Sequence, residues 1–346
     1  PSGKSAERQM MTLEQVEQNV AAIRPIYERL LDFSGSNAAR LRNNADWLKG
    51  IGYLEMLRDV GKYFSVNMMI QKDSVRERLQ NREQGISYTE FSYMLLQAYD
   101  FMYLFEHEQV TVQVAGSDQW GNTVAGVDLI RRVHRTETFG LTTPLVTKSD
   151  GGKFGKTESG AIWLTADRTS PYEFYQFWLN VADADIPVYL NTFTFFEQPR
   201  ISELIASQTE NPGARAGQRA LAAHMTELLH GKEGLAQAET ATQALFSGDV
   251  GGLDKSTLES VFRNVPTGTL TKSSLEGEGI PLIDALVETG VAKSKRDARE
   301  LLSKNAILVN GRKASLDDRL SLEWLLHGEM LLVRRGKKEW HVVRVR

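Results

Sequence analysis

The chain has 346 residues, 41% hydrophobic and 25% charged, with a formal net charge of −3 at pH 7 and no cysteine. That length predicts two or three globular domains, and the lack of thiols excludes disulfides and thiolate metal sites. No apolar run approaches the roughly 18 residues of a membrane span, and the six histidines fall in no HExxH-like spacing, so neither a membrane partner nor a protein-bound metal is expected.

Charge is unevenly placed. Residues 280–346 hold 14 Lys or Arg against 9 Asp or Glu, so a basic tail follows an acidic body. Such asymmetry predicts contact with a polyanion at the C-terminus.

The chain opens on the polar loop PSGKSAERQ. Thr12 and Gln15 then form a capping box, and Leu13, Val16, Val20, Ile23, Tyr27 and Leu30 recur at helical spacing, which predicts an amphipathic helix kinked at Pro25. A polar connection through Asn43-Asn44-Ala45-Asp46-Trp47 leads into helical patterns that continue to about residue 83.

A second helix, over 89–106, is apolar around most of its circumference and is expected to be buried. Yet Tyr93, Gln97 and Asp100, at i, i+4 and i+7, share one narrow face of it. A buried polar stripe must find partners. Two readings stay open: these side chains satisfy neighbouring backbone, or they form the specificity wall of a small polar ligand.

The alternation in Val110-Thr111-Val112-Gln113-Val114 predicts a strand that runs into Gly116-Ser117-Asp118-Gln119-Trp120-Gly121 and then a helix over 122–135. Ligands of open α/β sheets sit beyond the carboxyl ends of strands, where the chain turns into a helix. Asp118 can accept a hydrogen bond there, and Gln119 can donate and accept. Arg131 and Arg132 fall near the end of the helix, where cations suit its dipole in any case.

Between two apolar runs expected as strands, Pro144-Leu145-Val146-Thr147 and Ala161-Ile162-Trp163-Leu164, lies the loop KSDGGKFGKTESG. Its glycines allow close approach of a ligand, and Lys153 and Lys156 supply mobile cations suited to a polyphosphate. A Walker A loop is excluded, because Asp150 stands where that pattern needs glycine. A solvated surface turn is the competing account.

Ser170-Pro171-Tyr172-Glu173 is a further capping box and opens a helical region ending near Gly248. Residues 266–279, rich in Gly, Ser and Thr, are expected to be a linker. Beyond them come a helix from SKRDARELL with Lys295, Arg296 and Arg299 outward, a strand Ile307-Leu308-Val309 into a turn, and a hairpin tipped by Arg334, Arg335, Lys337 and Lys338.

Taken together, SVNMMI at 65–70, YTEFSYMLLQAYDF at 88–101, GSDQWGN at 116–122, LVTKSDGGKFGKTESG at 145–160 and TSPYEFYQFW at 169–178 resemble the bacterial-type tyrosyl-tRNA synthetases along essentially the whole chain. KFGKT resembles that family's form of the class I KMSKS loop. The resemblance implies an α/β Rossmann-like class I core, incomplete at its N-terminus, over 1–165. An α-helical domain over 166–265, a linker over 266–278 and a small α+β RNA-binding domain over 279–346 would follow. It further implies that a HIGH-bearing segment would precede Pro1.

By the same resemblance, Lys153, Lys156 and Thr157 hold the phosphates of ATP and steady the departing pyrophosphate, with Lys4 and Arg8 acting from the opposite side. Asp100 reads the phenolic hydroxyl of tyrosine, Tyr93 and Gln97 hold its ammonium, Gln119 lies at its carboxylate, and Asn44 supports the pocket. Gly116 and Asp118 correspond to ribose contacts. Arg131 and Arg132 correspond to contacts with the tRNA acceptor arm, and Arg334, Arg335, Lys337 and Lys338 to a tRNA-binding turn. The implied partners are tyrosine, ATP with Mg2+, tRNA(Tyr) and a second copy in a homodimer; the implied location is the cytoplasm, or an organelle as the alternative.

Other readings are a non-catalytic RNA-binding relative, a truncated P-loop phosphotransferase using Gly3-Lys4-Ser5, and a tryptophanyl synthetase. The Tyr93/Gln97/Asp100 stripe and the loop lysines argue against the first, and the distal KFGKT against the second. The combination of that stripe with the basic C-terminal module argues against the third.

Overall fold

The computed structural model describes residues 11–72, 75–76, 79, 85–152, 154–157, 160–248, 250–263, 265–336 and 339–346, with Lys156, Thr157 and Gly160 described by backbone only. Lys4, Arg8, Lys153, Lys337 and Lys338 therefore lie outside the described residues. The chain divides into two compact units, residues 1–154 and 155–346.

In the first unit, helix α1 (Leu13–Leu30) starts at the Thr12 capping box as expected and continues past Pro25 to Leu30. Its apolar stripe, from Leu13 to Leu30, is exposed. Helix α2 (Tyr88–Glu108) is capped by Ser87, whose side chain accepts from the Glu90 N–H. It packs on α3 (Trp120–His134) through a core of Met94, Ala98, Phe101, Met102, Ala125, Leu129 and Ile130. Phe101, Leu129 and Ile130 are almost wholly buried, each contributing about 1.5–3 kcal/mol in hydrophobic transfer.

Strands β1 (Val112–Gly116) and β2 (Phe139–Thr143) pair in parallel, Val112 with Phe139 and Gly116 with Thr143. A parallel pair needs a crossover, and α3 supplies it. The second strand thus precedes Pro144 instead of occupying 144–147. Proline removes a ladder donor, and the pairing ends at Thr143 just before it.

The first helix of the second unit is α4 (Pro171–Leu179), where Ser170 and Glu173 close the expected capping box. Three helices follow, α5 (Ile186–Phe193), α6 (Gln198–Glu210) and α7 (Ala216–Ser247), the last bent at Gly231 and ended by Gly248 in the left-handed region. Helix α8 (Lys255–Val261) comes next. A five-stranded sheet then forms from β3 (Thr267–Leu270), β4 (Ile307–Val309), β5 (Arg312–Lys313), β6 (Met330–Arg335) and β7 (Glu339–Val345), in spatial order β3-β7-β6-β4-β5.

Two layers cover that sheet, so its central strand is apolar and buried from Met330 to Val333. In β6, Met330 and Leu332 join a core with Val250, Leu253, Leu258 and Phe262. Leu331 and Val333 point the other way, into a core with α9 (Leu282–Glu288) and α10 (Lys295–Ser303).

The stretch expected to be a linker, 266–279, instead carries a strand of the sheet. Thr267–Leu270 pairs in parallel with β7, and Leu270 and Leu275 are buried. Gly268 suits this position because a Cβ there would lie 2.5 Å from the Thr289 carbonyl oxygen. The glycine permits close backbone approach instead of flexibility.

Helix α8 yields a stability prediction. Asp254 accepts from the Thr257 N–H at 2.9 Å, from Thr257 Oγ1 at 2.7 Å and from Ser256 Oγ at 2.6 Å. The Ser256 and Thr257 hydrogen bonds pull its carboxyl down to about 2. Asp254→Ala is expected to cost about 1 kcal/mol near neutral pH. Because the folded value is depressed, this contribution is present above the ordinary aspartate value and fades as pH falls towards 2. Thermal midpoints of chain and variant should converge over that range, and a gap independent of pH would contradict the assignment.

Candidate active site

The Tyr93, Gln97 and Asp100 stripe lies on α2 as the spacing requires, with Tyr93 exposed and Gln97 and Asp100 half-buried. Asp100 is held from outside its helix. Asn44 Nδ2 donates to one carboxylate oxygen at 2.9 Å, and Trp47 Nε1 donates to the other at 2.8 Å. Asn44 and Trp47 are three residues apart at the short helical turn Ala45–Leu48, so both reach the same side.

Trp47 is itself fixed by stacking. Its ring lies 4.5 Å from Tyr103 at an interplanar angle of 12°, and Tyr103 stacks on His107 at 3.9 Å. A carboxylate offers about four acceptor positions, and these two donors leave room for another. Asp100 is therefore an oriented acceptor for one more donor, such as a hydroxyl.

At the carboxyl end of β1, Ser117–Gln119 forms a single 3-10 turn before α3. A Cβ on Gly116 would meet Asp118 Oδ1 at 2.7 Å, so the glycine makes space for that carboxylate. Gln119 Nε2 donates to Asp118 Oδ2 at 2.9 Å, and Asn122 Nδ2 donates to Gln119 Oε1 at 3.1 Å. The turn thus carries a connected amide–carboxylate network at the position where open α/β sheets bind ligands.

Lys72 supports it. Its ammonium donates to the Gly121 carbonyl oxygen, and burial pushes its pKa below the ordinary lysine value, with Asp128 opposing that shift.

In the lysine loop, Lys156 pairs with Ala161 and Thr157 with Gly160 in a two-residue antiparallel ladder, and the Ile162 N–H donates to the Gly155 carbonyl oxygen at 3.1 Å. Gly151 and Gly155 both have positive φ. The second apolar run reaches the ladder only through Ala161.

The arginines are more engaged than their positions suggest. Arg131 and Arg132 lie 2.5 and 2.6 Å from Asp128, and Arg132 also donates to the Tyr63 carbonyl oxygen at 3.2 Å. Arg334 stands 5.5 Å over Trp340, with its guanidinium at the Gly248 end of α7, where the helix dipole favours a cation. Arg335 donates to the Val291 carbonyl oxygen at 3.3 Å and lies 3.7 Å from Glu339. Both are therefore anchors within their unit instead of free hairpin-tip cations. Arg296, Arg299, Arg312 and Lys313 are exposed.

Residue patterns alone missed Trp47 and Lys72. An indole three positions beyond Asn44 was the available signal for the first, and nothing local marks the second.

A family model described as class I tRNA synthetases (W and Y) matches residues 1–247. The chain belongs to this family. A second model, the tyrosine-tRNA ligase SYY-like C-terminal domain, matches residues 257–343. Among relatives of this class I synthetase chain, the tyrosine-tRNA ligase of Roseiflexus castenholzii is 49% identical over 347 residues, covering 100% of this chain and 82% of that protein. The tyrosine-tRNA ligase of Bacillus caldotenax is 48% identical, covering 99% and 81%.

Among solved structures, a C-terminally truncated mitochondrial tyrosyl-tRNA synthetase of Coccidioides posadasii superposes with a TM-score of 0.56 at 29% identity, covering 69% of this chain and 70% of that one. The corresponding Aspergillus nidulans protein gives 0.55 at 30%, covering 70% and 72%. The fold class is thus a class I synthetase core with a helical region and a C-terminal domain.

Proposed function

We propose that the protein is a tyrosine-tRNA ligase, which activates tyrosine with ATP and transfers it to the terminal ribose of tRNA(Tyr). The observation that carries this reading is Asp100, an acceptor oriented by Asn44 and Trp47 on a helix face shared with Gln97 and Tyr93. Tyrosine differs from phenylalanine by one hydroxyl, and an oriented carboxylate rewards that hydroxyl alone.

In the first step an oxygen of the tyrosine carboxylate attacks the α-phosphate of ATP, the bond to the β-phosphate breaks, and pyrophosphate leaves. Positioning and cationic stabilisation carry such a transfer, with little need for acid–base groups. Asp100 binds the phenol, Tyr93 and Gln97 the ammonium, Gln119 the carboxylate, and Gly116 and Asp118 the ribose. Lys153, Lys156 and Thr157, with Lys4 and Arg8, act on the phosphates. In the second step a hydroxyl of the tRNA terminal ribose attacks the activated carbonyl and AMP leaves.

Mg2+ enters with the nucleotide phosphates, in keeping with its usual mode of binding. Among the described residues no group of three or more His, Cys, Asp or Glu is placed to hold a metal. The working organisation is a catalytic domain over 1–165, a helical domain over 166–265 and an RNA-binding domain over 279–346, preceded by the strand-bearing connection 266–278. The protein acts as a homodimer, and the exposed Tyr53, Leu54 and Tyr88 offer apolar surface for the contact. It acts in the cytoplasm, and no described helix is long and apolar enough to cross a membrane.

Arg131 and Arg132 contact the acceptor arm, while Lys337, Lys338 and the exposed Arg296, Arg299, Arg312 and Lys313 contact the remaining RNA. Neutralising Arg296, Arg299, Arg312 and Lys313 together should flatten the salt dependence of tRNA binding, its slope falling by roughly 0.7–0.9 for each phosphate no longer neutralised. An unchanged slope would leave them as solvated surface. Arg334→Ala, by contrast, should lower the thermal midpoint. The function itself is tested by charging of a tRNA(Tyr) transcript with labelled tyrosine. Esterified tyrosine supports the reading, and tRNA binding without charging would favour a non-catalytic RNA-binding relative.

A further inference from the structure

Glu108 is the last residue of α2, where the helix dipole makes a negative charge locally unfavourable. Its place is explained by what it holds. Arg42 Nε donates to Glu108 Oε1 at 2.8 Å, and Arg40 donates to the other carboxylate oxygen. The carboxylate is the covered partner, with its side chain 19% exposed against 63% and 45% for Arg40 and Arg42. Charge-assisted pairs of this kind fix direction as well as distance.

The two arginines lie on the irregular stretch that leads into Asn44 and Trp47. That stretch has no strand or helix of its own before Ala45, so side chains must set its register against α2. It is fastened at two places. At one, Arg40 and Arg42 grip Glu108; at the other, Asn44 and Trp47 grip Asp100. Glu108 stands eight positions beyond Asp100, about 12 Å along the helix axis. The stacked rings of Trp47, Tyr103 and His107 fill the interval.

We propose that Glu108 is a positioning residue for tyrosine selection: gripped by Arg40 and Arg42, it sets the register that brings Asn44 and Trp47 onto Asp100. The proposal rests on the reading of Asp100 as the acceptor of the tyrosine hydroxyl. Glu108 touches no substrate. It acts by limiting the directions the Asp100 carboxylate can take, so it affects discrimination between tyrosine and phenylalanine more than binding of features the two share. A residue that merely stabilised the end of α2 would weaken both amino acids alike.

The test uses the full chain, Glu108→Gln, and a charge-reversed triple variant with Glu108→Arg, Arg40→Glu and Arg42→Glu. Equilibrium affinities for tyrosine and phenylalanine give the selectivity ratio. A 5-fluorotryptophan resonance of Trp47, assigned with Trp47→Phe, reports the register independently of any ligand. Glu108→Gln is expected to shift or broaden the Trp47 resonance and lower the ratio about 3- to 10-fold, with phenylalanine affinity unchanged. The charge-reversed variant should recover part of both.

An unmoved resonance with an unchanged ratio would overturn the proposal, as would an equal loss of both affinities. Asp100→Asn in parallel separates the two failures. If it too leaves the ratio intact, the reading of Asp100 fails, and the Trp47 resonance alone decides whether the clamp exists.

Discussion

Asparagine in place of Asp100 is expected to remove roughly one to two of the orders of magnitude by which tyrosine is preferred over phenylalanine. The substitution keeps shape and volume but replaces one acceptor oxygen with an NH2 donor. In the structure both oxygens already face donors, Asn44 Nδ2 and Trp47 Nε1. Whichever way the new amide turns, one donor meets another donor, and the acceptor offered to the phenol is weakened or misdirected. A site built to hydrogen-bond a hydroxyl rejects the analogue lacking it by about 10^4–10^5, tyrosyl-tRNA synthetase being the usual worked example of that rule.

Losing one charge-assisted hydrogen bond of about 1.5–3 kcal/mol should therefore lower kcat/KM for tyrosine by roughly 10- to 150-fold. Phenylalanine should change little, and KM for ATP should stay the same. Pyrophosphate exchange measured with each amino acid gives all three quantities, and equal losses for tyrosine and ATP would remove Asp100 from selection.

Lys156→Ala is expected to slow adenylate formation by roughly 100- to 1000-fold, in line with removal of one preorganised group that meets developing charge. Its backbone is set by the ladder with Ala161, which an alanine leaves intact, so the loss should be chemical instead of structural. Negative charge builds on the leaving pyrophosphate only as the bond to the α-phosphate breaks. A cation acting at that moment raises the rate without tightening tyrosine binding. Single-turnover activation with saturating ATP, alongside tyrosine titration, separates the two. A drop of less than about tenfold would take Lys156 out of the mechanism.

Features set by neighbours in sequence were legible before the structure. The capping boxes at Thr12 and Ser170 depend on four consecutive residues, and both form. The stripe on α2 depends only on helical spacing, and its three residues share the expected face. What could not be read depends on partners far along the chain. Trp47 becomes part of the site because α2 brings Asp100 to it from 53 positions away, and Glu108 because Arg40 and Arg42 return to it.

The strand Thr267–Leu270 was hidden for the same reason. Its Gly and Thr content is that of a loop, yet pairing with β7 decides its conformation, as tertiary context commonly does for strands. Arg334 and Arg335 teach the converse. Their clustering at a hairpin suggested free cations, whereas Trp340, the α7 terminus and the Val291 carbonyl use both of them locally.

In the proposed function, the face of α2 carrying Tyr93, Gln97 and Asp100 selects tyrosine. Equilibrium titration of the full chain with tyrosine, phenylalanine and tryptophan tests it most directly. Saturable tyrosine binding is expected, with phenylalanine weaker by at least about 100-fold and tryptophan excluded. Phenylalanine or tryptophan binding as tightly as tyrosine, or no tyrosine binding at all, would contradict it.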